Sequence, residues 1–125
     1  MPMKRFVVEL GYGADLHGSD ATKAATRAVK DAISRSCLCG LFEIAGLRDP
    51  GDMHVKVRIG CPRPGEVDGE AVCAALPFGS KEIEVVEGGL ATQGVEVPSL
   101  GCGDTILVAV ASLTVCVKSN DTAFP

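Results

Sequence analysis

The run Thr105–Val117 constrains the fold more than any other stretch of this chain. Leu107, Ala109, Ala111, Leu113 and Val115 fall on one side of an extended backbone, and Ile106, Val108, Val110, Ser112 and Thr114 on the other. The run is too short and too β-branched for a membrane-spanning helix, so it reads as a long strand. A strand with apolar residues on both faces is normally covered on both. The rest of the chain must supply those covers, or a second copy must.

Three earlier segments also read as strands. Lys4–Leu10 alternates, with Phe6, Val8 and Leu10 on one face and Arg5, Val7 and Glu9 on the other. In Met53–Gly60, Met53, Val55, Val57 and Ile59 alternate with His54, Lys56 and Arg58. Lys81–Glu87 sets Ile83 and Val85 against Glu82 and Glu84. Between them lie two helical patterns. Ala24, Ala25, Ala28, Val29, Ala32 and Ile33 form an apolar stripe at helical spacing over 21–35, with Ser19 and Asp20 as candidate caps. A shorter helix is expected over 69–76, capped by Asp68, with Val72, Cys73 and Leu76 buried. The connection 36–51 should hold a short turn anchored by Leu41, Phe42 and Ile44, and 88–104 a glycine-rich excursion.

These elements predict a single α/β (α+β) domain over 1–118, in the order β-α-β-α-β-β, followed by a flexible tail over 119–125. The sheet is expected to be mixed and four-stranded, with two helices on one face. Glu9, His54, Lys56, Arg58, Glu82 and Glu84 should line the other face, where opposite charges on adjacent strands can pair. Helices on one face leave the second apolar face of the last strand bare. A homo-oligomer that buries it is therefore expected.

Composition narrows the function classes. Sixteen acidic against twelve basic residues make a mildly acidic chain, which argues against non-specific nucleic-acid binding. Neither a secretion signal nor a membrane-spanning run is visible, so a cytoplasmic location is expected. Cys37, Cys39, Cys61, Cys73, Cys102 and Cys116 then read as free thiols. Cys37-x-Cys39 lacks the spacer and the second pair of a zinc knuckle. No metal site is assigned and no cofactor is implied.

One segment carries residues that folding alone does not explain. Gly11-Tyr12-Gly13-Ala14-Asp15-Leu16-His17-Gly18-Ser19-Asp20 joins the first strand to the first helix. Ligands of α/β sheets bind at carboxyl ends of strands and amino ends of helices, where free N–H groups favour anions. Leu16 stands where the third glycine of a dinucleotide fingerprint would fall, and no Gly-Lys-Ser/Thr follows for a P-loop. Asp15 and His17 are the candidate catalytic pair, the carboxylate orienting an imidazole that shuttles a proton or holds a metal. Gly11, Gly13 and Gly18 would admit close backbone approach, and Lys23 would attract a small anionic ligand. A capped glycine turn, with Asp15 or Asp20 as the cap, explains many of the same residues without any ligand.

The stretch Gly11–Gly18 resembles the Lin family of conserved hypothetical proteins, marked by the motif GxGxDxHG. The likeness extends through Asp20-x-Thr22-Lys23-Ala24-Ala25, Met53-His54-Val55, Leu76-Pro77-Phe78-Gly79 and Val85-Val86-Glu87-Gly88-Gly89. It implies no activity, because the family's function is unassigned. The element order is also similar to one repeat of the cyclic-amide hydrolases, which use Ser–Lys pairs around a central site. Ile83 stands where their serine would fall, so their chemistry does not carry over. That architectural likeness makes a trimer the first expectation for the oligomer. Two function classes follow: a small-molecule enzyme or binder centred on Gly11–Asp20 at a subunit interface, and a non-catalytic assembly or regulatory module.

Overall fold

The computed structural model describes residues 3–118; the expected flexible tail, 119–125, lies outside the described residues. The architecture is α+β. In chain order the elements are β1 (Met3–Asp15), α1 (Ala21–Ile33), α2 (Cys39–Glu43), β2 (His54–Cys61), α3 (Gly69–Cys73), β3 (Ser80–Glu87), β4 (Leu90–Gln93) and β5 (Thr105–Lys118). The sheet is mixed and has five strands, ordered β1-β5-β2-β3, with β4 also paired to β5. β5 runs antiparallel to β1 and β2, while β2 and β3 are parallel.

Burial explains the central place of β5. Leu107, Ala109, Leu113 and Val115 are all buried beneath the helices, and the strand has neighbours along both edges. α1 packs on β1, β5 and α3, and α3 packs on β3, so these helices share one face. Thr22 ties α1 to the start of α3: its hydroxyl donates to Glu66 O at 3.3 Å and accepts from Asp68 N at 2.8 Å. Asp20 caps α1 through Lys23 N at 3.0 Å, and Asp68 caps α3 through Glu70 N at 3.1 Å, each worth about 1 kcal/mol.

Three features differ from the sequence-based expectation. First, the excursion after β3 holds a strand, β4. The chain crosses the end of β2 at Gly88, whose N–H donates to Cys61 O at 3.2 Å. Gly89 then turns with φ of 70°, and a Cβ there would lie 2.1 Å from Val108 O, so only glycine lets β4 reach β5. A strand of four residues carries too little alternation to stand out among turns.

Second, β1 does not stop at Leu10. It continues through Gly11–Asp15, pairing Gly11 with Ala111, Gly13 with Ala109 and Asp15 with Leu107. The glycines read as a turn are strand residues.

Third, the two faces of β1 are exchanged. The pairing register shifts between Arg5 and Val7, leaving Phe6 as a bulged residue. Phe6 lies under α2, where a Cβ on Gly40 would come within 3.2 Å of its ring. Val7, Glu9, Gly11, Gly13 and Asp15 therefore face the helices, and Val8, Leu10 and Tyr12 face away. Glu9, expected among the charges of the open face, is buried on the helix side and accepts from Ser36 Oγ at 2.6 Å.

Candidate functional site

Gly11 and Gly13 serve helix packing. A Cβ on Gly11 would lie 2.5 Å from both Ala28 O and Ala32 N; one on Gly13 would lie 2.4 Å from Ala28 N. All are backbone atoms, so no rotamer change can relieve the contact. The alanine stripe of α1 and these alternate glycines of β1 bring helix and strand into backbone contact. Neither glycine has positive φ; Gly18, at 101°, and Ser19, at 53°, do.

Asp15 is buried, at 3% exposure. Its Oδ2 accepts from Asp20 N at 2.7 Å, and the guanidinium of Arg27 lies 3.8 Å from Oδ1. Arg27 itself donates to Ala14 O at 2.7 Å. Asp15 thus holds the backbone of the cap residue, and Asp20 in turn caps the helix. The five-residue spacing of the two aspartates closes the loop between strand and helix.

His17 lies on that loop, partly buried, and its Nδ1 is buried without a hydrogen-bond partner. Asp15 and His17 are brought into one loop, but no hydrogen bond joins their side chains among the described residues. Gly101 packs on this loop: a Cβ on it would lie 2.5 Å from Gly18 N and 2.8 Å from the His17 carbonyl carbon. Ser19 Oγ donates to Thr105 O at 3.3 Å. Lys23 is exposed on the first turn of α1. Among the described residues, no group of three or more His, Cys, Asp and Glu side chains is placed to hold a metal ion, and all six cysteines are free thiols.

The opposite face of the sheet holds what the sequence reading missed. Side by side across β1, β5 and β2 lie Val8, Thr114 and Lys56; Leu10, Ser112 and Arg58; Tyr12, Val110 and Gly60. Leu10 is 64% exposed, Tyr12 63%, Val8 47% and Val110 45%. Leu90, on β4 beside Val108, extends this apolar strip. Toward β3 the face turns charged: Arg58 lies 3.8 Å from Glu84, and His54 lies 3.4 Å from Glu82. A trough of about 520 Å³ runs between the two halves, with Leu10 and Tyr12 on one side and Arg58 on the other. The missed signal was that Glu9, Gly11, Gly13 and Asp15 share one parity. Two glycines on the side facing an alanine-striped helix mark the packed face, and Tyr12 is then left outside.

At the free edge of β1, Asp31 of α1 reaches round to accept from Tyr12 N at 2.9 Å. That backbone donor, aided by Arg35 at 2.6 Å, holds the Asp31 carboxyl below its ordinary value.

The fold and its parts define an α+β domain with one helix-covered and one open sheet face. The family model for the conserved hypothetical proteins of Lin0512_fam matches residues 5–115. The chain belongs to that family. A solved relative is an FtsZ-like protein of unknown function from Nostoc punctiforme PCC 73102, with 42% identity and a TM-score of 0.86. The match covers 95% of this chain and 99% of that one. No curated protein matches the chain. Among the described residues, no helix is long and apolar enough to cross a membrane.

Proposed function

We propose that this protein is a self-assembling module whose open sheet face is its contact surface. The carrying observation is the exposed strip of Val8, Leu10, Tyr12 and Val110. Soluble monomers rarely leave a contiguous apolar patch of this kind on a sheet. Its flank of paired charges, Arg58 with Glu84 and His54 with Glu82, matches the polar rim around the apolar centre of a protein interface. The occupant is a second copy of this chain: such a face is apolar on one half and charged on the other, and two copies stacked about a two-fold axis bring strip onto strip. The motif residues Gly11, Gly13 and Asp15 support this reading by having packing and capping duties of their own. The solved relative has no known function and so supplies no activity to transfer.

Sedimentation velocity at micromolar concentration tests the proposal. The wild-type chain should run as a dimer; the trimer expected from architecture would contradict the two-fold stacking. Leu10→Asp should shift it to monomer with its circular dichroism unchanged. A wild-type monomer, or an unshifted Leu10→Asp, contradicts it.

One observation favours a second reading, ligand binding at the Leu16–Asp20 loop. The unpartnered Nδ1 of His17 is a buried polar atom that a ligand donor or acceptor would satisfy. In this reading His17 is the proton-transfer or ligand-holding group, Gly18 admits the ligand and Lys23 draws its anionic end. Inorganic phosphate should then raise the melting temperature, and His17→Ala should abolish that rise while leaving the fold intact. No rise with phosphate, or a rise that survives in His17→Ala, removes it.

A further inference from the structure

A cavity of about 270 Å³ lies on the helix-covered side, beside Glu9 in the middle of β1. Val55 and Leu113 floor it, Leu38 and Leu76 wall it, and the exposed rings of Phe42 and Phe78 stand at its mouth. The segment between α1 and β2 forms one side, and the turn after α3 the other. Glu9 is the one charged group among the described lining residues. It is buried, and Ser36 Oγ is its one hydrogen-bond donor among the described residues, engaging Oε2 at 2.6 Å. Oε1 has no hydrogen-bond donor among the described residues and is open to solvent.

A carboxylate oxygen that is hydrogen-bonded only to water can exchange that water for a charge-assisted bond from an ammonium donor. Here that carboxylate borders an apolar chamber. We infer that this cavity binds a small amphiphile: an apolar body with a single cationic amine head that donates to Glu9 Oε1. Size, apolar lining and lone charge agree on this class. An apolar cavity of ~150 Å³ accepts benzene, so this one fits a body of about ten heavy atoms. The sign of its one charge selects an amine over a carboxylate. Phe42 and Phe78 give the mouth an apolar, aromatic rim over which the ligand enters. The site lies across the sheet from the open face and stands independently of self-assembly.

The test uses the full chain and three probes of one shape: 4-phenylbutylamine, 4-phenylbutyrate and butylbenzene. Each is titrated by calorimetry, with amide chemical shifts locating the site. The amine should bind saturably, shift the resonances of Leu38, Leu76 and Phe78, and bind at least about tenfold tighter than the acid. Glu9→Gln should erase the preference for the amine while butylbenzene still binds. The wild-type comparison of amine with acid stands alone should that variant fail to fold. No binding of the amine, equal affinity for the acid, shifts located elsewhere, or an undiminished amine preference in a folded Glu9→Gln each overturn the inference.

Discussion

Tyr12 and Gly13 are neighbours in the chain and lie on opposite faces of one sheet, and the two faces are built by opposite rules. On the helix side the chain removes side chains to gain contact. Gly11 and Gly13 meet Ala28 and Ala32 backbone to backbone, and α1 lies flat on β1 and β5. On the open side it keeps large side chains that the other described residues leave largely uncovered: Leu10 and Tyr12 are both more than 60% exposed. Gly11 and Gly13 therefore belong to stability. Under the proposed assembly, Leu10 and Tyr12 belong to the contact with a second copy.

Adding a methyl group to the packed face is the sharpest way to break this comparison. Gly13→Ala places a Cβ 2.4 Å from Ala28 N, and only movement of α1 relieves it. Overpacking of this kind costs about 1–3 kcal/mol, read as a lower midpoint in urea unfolding. Gly11→Ala should behave alike. A Gly13→Ala chain as stable as wild type would show that α1 does not bear on β1 as described.

Asp15→Ala comes next. It strips the acceptor from Asp20 N and frays the cap of α1, at about 1–3 kcal/mol. Chemical denaturation should report that loss. An unchanged midpoint would return Asp15 to the list of residues kept for ligand chemistry.

The legibility of the chain divides along the same line. Strict alternation made β2 and β3 readable to within a residue, and the alanine stripe fixed α1. Six free thiols and a mixed sheet with α1 and α3 on one face were expected and are present. The orientation of β1 was misread because the bulge at Phe6 breaks the period, so Val8, Leu10 and Glu9 were each placed on the wrong side. Gly11 and Gly13 were read as a turn because glycine is the commonest residue there. Their partners, Ala28 and Ala32, lie many residues away, and nothing local reveals that contact. His17 was singled out from sequence, and the structure gives it a buried, unpartnered nitrogen rather than the neighbouring carboxylate expected.

The smallest effect is at the edge of β1. Asp31 has its carboxyl lowered from the ordinary 3.8 by the Tyr12 N–H and by Arg35. A carboxylate whose folded value is lowered contributes stability above its unfolded value, and loses it as pH falls through the folded one. Thermal melts from about pH 6 down to about pH 3 should therefore fall slightly less steeply for Asp31→Asn than for wild type. Solvent around this side chain keeps the difference small. Parallel curves would mean that the Tyr12 N–H is capped no better by the carboxylate than by an amide.

Thermal unfolding followed across roughly a hundredfold range of protein concentration tests the central claim most directly, because assembly makes Tm rise with concentration. Wild type should show that rise. Tyr12→Asp should lose it, and Gly13→Ala should melt lower yet keep the same dependence on concentration. A wild-type Tm that does not move with concentration, or a Tyr12→Asp chain that keeps the full rise, would contradict the assignment of the open face to self-assembly.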